Sequence, residues 1–151
     1  NKEKKEMEIK KKNTRELFID TLTKIGCQYQ LGEDDDTRIF FDYQGESFFA
    51  NIDAETFYVY HIWDTHWCQV ELSNIGEMSR LRKAINRSNF STGVTTEYSI
   101  DDDTKTTIVY SKLVIWSISK PALRDELNEF FRAHHIIEVE MQKLREQKRD
   151  A

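Results

Sequence analysis

The sequence contains few of the residues that interrupt regular secondary structure: one proline and five glycines among 151 residues. Collagen-like, linker-rich and glycine-rich phosphate-binding chains are therefore excluded, because each of these classes depends on glycine or proline. No apolar run approaches the ~20 residues that a helix needs to cross a bilayer, so a transmembrane protein is not expected.

Cysteine is also scarce, with only Cys27 and Cys68, and neither lies in a CxxC motif. Two cysteines do not make a disulfide framework, so we expect two free thiols in a reducing compartment, with a single disulfide as the alternative. The first residues contain no apolar targeting region, which makes a cytoplasmic location the default expectation. A signal removed before Asn1 would leave no trace.

Apolar residues make up 38% of the chain, charged residues make up 32%, and the formal net charge is −5. An average soluble domain has ~45–50% apolar and ~25% charged residues. The shortfall is in aliphatic side chains, because nine Phe, six Tyr and three Trp remain to build a core. The acidic balance argues against nucleic acid as the partner, since phosphate binding needs a basic surface.

Three helices are predicted where apolar residues recur at spacings of three and four. Gly26 follows the first helix, at the position where a glycine commonly ends a helix. Asn74 is the predicted cap of the second, with Glu77 three residues later, and Pro121 lies in the first turn of the third. The predicted ranges are 14–25, 75–89 and about 121–148.

Residues 1–13 are almost all charged. They offer little apolar surface for packing, so we expect a frayed end or a solvated helical extension. Residues 14–151 have the length of one domain. We therefore predict a charged N-terminal extension over 1–13 and a single domain over 14–151 that ends in a long C-terminal helix.

The segments between the helices predict an antiparallel sheet, because β-branched and aromatic residues are separated there by turn residues such as Gln44-Gly45. Ten of the eighteen aromatic residues lie between Phe40 and Trp67, which indicates one heavily aromatic face. Further turns are predicted at 32–36, 53–54 and 101–103. The predicted strands are 27–31, 38–43, 47–52, 56–62, 94–100 and 106–118. The fold class is α+β, an antiparallel sheet with flanking helices in the order α-β-β-β(-β)-α-β-β-α.

No catalytic motif is present, so the sequence does not predict an enzyme, and it implies no cofactor. The most metal-like set is His61, Asp64, His66 and Cys68, whose side chains are of the types that zinc binds. Their spacing matches no metal motif. We therefore expect structural histidines at the end of a strand and no metal site.

The third helix carries a regular apolar seam with spacings of three and four, the pattern of a packed helix. Its possible partner or dimer surface consists of Leu127, Phe130, His134, Ile137 and Met141. Phe131 and Val139 add a neighbouring stripe, and a second stripe on a long helix favours packing against another chain. The alternative is a wide core-facing surface within one chain. His134 is then either a core residue or a pH-sensitive contact.

The order of elements, the size and the acidity resemble the type III secretion chaperone fold, which YbjN-type sensory regulators share. The second helix, from Met78 to Phe90 with its Ala84-Ile85-Asn86 sequence, resembles the corresponding YbjN helix. The resemblance covers about residues 14–131. It implies a small, acidic, non-enzymatic protein that is commonly a homodimer. Chaperones of this fold bind extended protein segments through hydrophobic patches and exposed strand edges.

We therefore expect a chaperone-like binding or regulatory module that dimerises and holds a protein segment, with neither nucleic acid nor membrane as its partner. The alternative is a small-ligand-binding protein or an enzyme with an aromatic pocket between the sheet and the helices. The residues that would line this pocket are Phe48, Tyr58, Tyr60, His61 and Trp63.

Overall fold

The computed structural model describes residues 1–33, 38–52 and 57–150, with side chains as far as residue 148. The helices are α1 (Lys2–Ile25), α2 (Ile75–Ser91) and α3 (Lys120–Asp150), and a short 3-10 helix covers His66–Cys68. The strands are β1 (Tyr29–Leu31), β2 (Arg38–Tyr43), β3 (Glu46–Ile52), β4 (Phe57–Trp63), β5 (Thr95–Ile100) and β6 (Thr107–Val114). The predicted α+β class and the order α-β-β-β-β-α-β-β-α are confirmed.

The six strands form an antiparallel sheet in the order β1-β2-β3-β4-β6-β5, which the three helices flank. The strands at its two edges are therefore β1 and β5. β6 is an interior strand of this sheet. It ends at Val114, however, short of the predicted residue 118.

The chain divides into two compact units. Unit 1 consists of Asn1–His61 and Leu113–Leu127, and unit 2 of Ile62–Lys112 and Asn128–Ala151. The sequence predicts a domain that begins after residue 13, but residues 1–13 belong to unit 1 without a break. We describe the two units separately below.

The N-terminal extension is helical, because α1 begins at Lys2 and continues without interruption to Ile25. The prediction of a frayed end is therefore wrong, and the alternative of a solvated helical extension is correct. Lysine and glutamate favour helix when they alternate along its surface. The buried residues of α1 begin only at Phe18, so the first half of the helix contributes little to the core.

The predicted end of α1 at Gly26 and the predicted cap of α2 at Asn74 are confirmed. Gly26 has a φ of 92° in the left-handed region, and its N–H donates to the carbonyl oxygens of Leu22 and Thr23. The side chain of Asn74 accepts from the N–H of Glu77 at 3.1 Å. The side chain of Ser119 caps α3 by accepting from the N–H of Ala122 at 3.3 Å.

The hairpin between β2 and β3 turns at Gln44 and Gly45, as predicted. Both residues have positive φ values, 50° and 81°, which a type I′ turn requires. Asp101 forms the turn between β5 and β6, where its carboxylate accepts from the N–H groups of Asp103 and Thr104. The predicted turns at Asp34–Asp36 and Asp53–Ala54 lie outside the described residues.

The core of unit 1 is built around Phe18, which is fully buried. Its ring meets Phe41 edge-on at 5.7 Å between centroids and Phe57 at 4.7 Å. Phe41 in turn stacks on Phe48 at 5.5 Å. These contacts attach α1 to one face of β2, β3 and β4.

In unit 2, helix α2 packs on α3. The hydroxyl of Ser88 donates to the carbonyl oxygen of Ala133 at 3.2 Å, and both residues are buried. Further along α2, the carboxylate of Glu77 accepts hydrogen bonds from Arg80 on the same helix and from Arg145 on α3. The two helices are thus joined by a buried hydrogen bond and by a charged cluster.

Replacing Phe18 with alanine should destabilise the protein strongly. The substitution removes a fully buried ring with two aromatic contacts, so we expect the free energy of unfolding to fall by about 3–5 kcal/mol. Urea denaturation followed by circular dichroism measures this change. Leu17→Ala is the matched control, because the neighbouring Leu17 side chain is half-exposed and should cost under about 1 kcal/mol. Equal losses for both variants would contradict this account of the core.

Candidate functional site

Aromatic side chains lie on both faces of the sheet in unit 1, not on one as the sequence suggested. In β4, Phe57, Val59 and His61 are buried, whereas the alternate residues Tyr58 and Tyr60 are half-exposed. Residues of a strand point alternately to its two sides. A run of consecutive aromatic residues is therefore shared between the helix-covered face and the opposite face.

The same alternation divides the two Phe-Phe pairs. Phe41 and Phe48 are buried, whereas their neighbours Phe40 and Phe49 reach the opposite side, with Phe40 43% exposed. We call the outward-pointing side of β2, β3 and the unit 1 part of β4 the open face. Its residues are Arg38, Phe40, Asp42, Ser47, Phe49, Asn51, Tyr58 and Tyr60.

Four aromatic rings of the open face form a continuous ridge. Phe40 lies opposite Phe49 in the strand register, and Phe49 lies opposite Tyr60. The ring centroids are 6.1 Å apart for the first pair and 5.0 Å for the second, which stacks with an interplanar angle of 10°. Tyr58 continues the ridge at 5.9 Å from Tyr60. We refer to these four residues as the aromatic ridge.

Phe49 and Tyr60 stack on each other, whereas Phe40 is tilted by 39° against Phe49 and Tyr58 by 42° against Tyr60. A flat platform for a nucleobase or a sugar needs ring faces that are free. In the ridge, the faces of Phe49 and Tyr60 cover each other. The ridge therefore offers an apolar surface, which suits aromatic and aliphatic side chains of a protein.

Trp116 extends the apolar surface of unit 1. Ile115 is buried, and its N–H donates to the carbonyl oxygen of Phe57 at 2.8 Å, so the chain is still extended beside β4. The next residue, Trp116, follows the end of β6 and is 88% exposed. Exposed apolar surface of this kind marks binding sites in soluble proteins.

The β1 edge, which we define as Tyr29 and Leu31, has its backbone directed outward. Gln28 and Gly32 bond to β2: the Gln28 carbonyl accepts from Asp42, and the Gly32 N–H donates to Arg38, both at 3.1 Å. In an antiparallel ladder, alternate residues bond to the neighbouring strand. Tyr29 and Leu31 therefore turn their N–H and C=O groups away from β2, and their side chains are 44% and 40% exposed.

A shallow groove of about 390 Å³ lies beside the β1 edge. Gln28 is opposite Asp42, and Gln30 is opposite Phe40, so Gln28 and Gln30 flank the open face on the same side of the sheet. Ser47 completes the polar wall by donating to the Asp42 carboxylate at 2.7 Å. The groove thus joins the β1 edge to the aromatic ridge.

The edge strand of unit 2 differs, because part of its outward backbone is already bonded. The Asn89 side chain accepts from the N–H of Thr96 at 2.8 Å and donates to its carbonyl oxygen at 3.0 Å. The outward side chains of β5 and β6 also bond to each other: Tyr110 donates to Glu97 at 2.7 Å, and Lys112 lies 3.5 Å from the same carboxylate. The β5 edge is therefore polar and partly bonded, whereas Phe90 and Ile75, elsewhere in unit 2, are 94% and 81% exposed.

The five residues predicted to line a pocket do not lie together. Phe48 and His61 are buried against each other in unit 1, at 4.7 Å between ring centroids. Tyr58 and Tyr60 lie on the open face, and Trp63 belongs to the core of unit 2. The prediction of one aromatic pocket between sheet and helices is wrong, because it ignored the alternation along β4.

The seam of α3 faces the protein's own core. Leu127, Phe130, Ile137 and Met141 are buried in the single chain, with exposures of 0–1%. They offer no surface to a partner, so the prediction of a dimer contact at these four residues is wrong. The seam faces the core of its own chain, as in the alternative, although Val139 of the neighbouring stripe is 38% exposed. His134, the fifth predicted residue, is partly buried. A buried helix face and a dimer seam have the same spacing in sequence.

His134 is enclosed by aromatic rings within unit 2. Its ring lies 4.2 Å from that of Trp63 and 4.9 Å from that of Trp67, and its Nε2 is 3.1 Å from the Thr65 hydroxyl. The indole N–H of Trp63 donates to the Ser111 hydroxyl at 2.8 Å. Of the two roles that the sequence left open for His134, these contacts are those of a core residue.

Two of the side chains considered as metal ligands, His61 and Cys68, are engaged in other contacts. His61 Nδ1 is 2.8 Å from the carbonyl oxygen of Ser47. Cys68 is buried beside Thr65, and burial raises the pKa of its thiol to about 11. Both cysteines are free thiols, as expected. Residues 1–33, 38–52 and 57–150 contain no group of three or more His, Cys, Asp or Glu placed to hold a metal ion.

Sequence reasoning missed three aromatic residues of unit 1 that lie outside its core, namely Phe40, Phe49 and Trp116. The signal was present, because period-two alternation through the buried Ile39 and Phe41 assigns Phe40 to the other side. It was obscured by the pairs Phe40-Phe41 and Phe48-Phe49, because both residues of each pair are equally apolar. The β1 edge carried no signal, since strand order is not visible in a sequence.

Comparison with family models, curated proteins and solved structures finds no match to this chain. The resemblance to type III secretion chaperones and YbjN-type regulators therefore stays a prediction. The structure itself defines an α+β protein with a helix-covered sheet, an outward aromatic ridge and an open strand edge in unit 1. Within the described ranges, every helix is too short or too polar to cross a membrane.

The stability of the protein should depend on pH through His61. Burial lowers the pKa of His61, against the opposing effects of the Ser47 carbonyl and Glu46. In the unfolded chain, His61 takes up a proton near pH ~6.5, whereas in the folded chain it does not do so at this pH. Because the unfolded state then binds more protons, the free energy of unfolding should fall as the pH decreases below ~6.5, by up to ~1.4 kcal/mol per pH unit.

Urea denaturation of His61→Phe at pH 7.5 and pH 5.5 tests this dependence. The variant should be less stable at pH 7.5 by about 1–3 kcal/mol, because the Ser47 carbonyl loses its donor, and its stability should change less between the two pH values. His135→Gln, which alters an exposed histidine, should keep the wild-type pH dependence. If His61→Phe kept it as well, His61 would not be its source.

Proposed function

We propose that this protein is a non-enzymatic, chaperone-like binding module that holds an extended segment of another protein at the β1 edge. The segment adds to the sheet as a further antiparallel strand beside β1. The outward backbone of Tyr29 and Leu31 is the observation that carries this proposal. The two residues offer two donors and two acceptors, which is the means of recognition in β-strand addition.

The side chains around the edge favour a segment of alternating character. Tyr29 and Leu31 are both apolar and partly exposed on one side of β1. On the other side, the groove is lined by Gln28, Gln30 and Asp42. Since neighbouring residues of an added strand point to opposite sides, apolar residues suit the first side and polar residues the second. The preferred partner is therefore an extended segment in which apolar and polar residues alternate.

Two ionisable groups with altered pKa values, Cys68 and Glu77, are engaged in structural contacts. With a pKa of about 11, the Cys68 thiol remains protonated and is a poor nucleophile. Burial acts to raise the pKa of Glu77, but hydrogen bonds and charges from Arg145 and Arg80 outweigh it and hold the pKa below its usual value. Both groups are thus committed to structural partners. Homodimerisation, which the sequence also predicts, is a separate proposal taken up below.

Protection of two backbone amides from hydrogen exchange tests the proposal. The probe is a set of ten-residue peptides that alternate valine or leucine with threonine or serine, followed by NMR. In the free protein the Tyr29 and Leu31 amides face solvent and should exchange quickly. A bound strand should slow both at least tenfold and leave Gln30, which already bonds to β2, unchanged.

Tyr29→Pro and Leu31→Pro each remove one outward N–H without removing a bond to β2. Both variants should fold, and both should lose most of the peptide binding. Tyr98→Pro in β5 is the matched control at the other edge of the sheet, because Tyr98 alternates with the residues that bond to β6. It should keep the binding. Saturable peptide binding that left both amides unprotected would overturn the proposal, as would an absence of binding across the set.

A further inference from the structure

We propose that the open face is the contact surface of a homodimer in which two copies pack their sheets face to face. The two-fold axis lies between the sheets, perpendicular to the strands, along the row of Phe40, Phe49 and Tyr60. Each residue of this row then faces the same residue of the second copy. This inference goes beyond peptide binding, because it uses a different surface from the β1 edge.

The charges of the open face complement themselves under this symmetry. Among its eight residues only Arg38 and Asp42 are charged, and both are exposed. They lie on the same strand, two residues before and two residues after Phe40. A two-fold axis through the Phe40 row reverses the strand direction, so Arg38 of each copy faces Asp42 of the other. A contact of this kind is isologous and closes after two copies.

The choice of a second copy follows from charge as well as from shape. The chain carries a net charge of −5, yet the open face carries one positive and one negative side chain and is neutral. Two acidic copies can therefore approach through this face without local repulsion. The rings of the ridge also suit packing against an identical ridge, since aromatic pairs favour edge-to-face and offset contacts.

The size of the face indicates a weak dimer. Three strands at ~4.8 Å and five residues at ~3.4 Å cover roughly 14 Å by 17 Å. Stable interfaces bury ~800 Å² per partner, and smaller ones belong to transient complexes. We therefore expect dissociation in the micromolar range rather than an obligate dimer.

Charge reversal tests the geometry. Sedimentation equilibrium over about 1–500 µM should show a monomer–dimer equilibrium for the wild type. Arg38→Asp places two pairs of carboxylates in opposition, and Asp42→Arg places two pairs of guanidinium groups in opposition. Each variant alone should associate at least tenfold more weakly. An equimolar mixture of the two should recover the association, because every contact in the mixed dimer again joins opposite charges.

The double variant R38D/D42R should also recover the association, since it exchanges the two charges within one chain. Arg82→Asp and Asp102→Arg are the matched controls, because both residues are exposed and lie in unit 2. They should leave the association unchanged. Circular dichroism confirms that each variant is folded before its association is measured.

Three results would overturn the inference. They are a monomeric wild type at 500 µM, a dimer that both reversals leave intact, and a mixture that remains monomeric. A dimer that is lost in Tyr29→Pro but not in Arg38→Asp would assign the association to the β1 edge instead. Failure of the dimer leaves the peptide-exchange result intact, so the two proposals can be judged separately.

Discussion

The structure of unit 1 depends on the alternation of side chains along its strands. In β2, β3 and β4 every second residue turns toward α1, where Phe41, Phe48 and Phe57 are buried around Phe18. The remaining residues point to the opposite side, where Phe40 is 43% exposed and Phe49, Tyr58 and Tyr60 are half-exposed. The alternation that builds the core therefore also creates the aromatic ridge. A shift of one strand by one residue would exchange its buried and outward side chains, so the core and the ridge depend on the same strand register.

The two edges of the sheet differ in the contacts of their outward backbone groups. The side chain of Asn89 hydrogen-bonds to the backbone N–H and C=O groups of Thr96 in β5, which protects that edge from pairing with another chain. The β1 edge lacks such a contact among the described residues, and its exposed side chains are apolar. With three residues, β1 is short, and a short edge strand limits pairing with other chains to few backbone groups.

Several elements could be predicted from the sequence because their causes are local. Gly26 ends α1 through its own left-handed conformation, and Asn74 caps α2 with its own side chain. The turn at Gln44-Gly45 likewise depends on two adjacent residues. The helical extension over residues 2–13 was not decided by sequence, because a charged segment with good helix propensity can be helical or frayed.

Amino-acid order alone determined the α+β class, the sequence of elements and most of their ends, since these follow from short-range spacing and conformational preference. Tertiary structure decided which apolar surface is buried and which is left open. The seam of Leu127, Phe130 and Ile137 has the spacing of a dimer contact but packs inside its own chain. Phe40 and Phe41 are adjacent residues of the same type, yet Phe40 is exposed and Phe41 is buried. Burial depends on which elements pack together in space, and strand order and helix docking are long-range outcomes that local spacing does not specify.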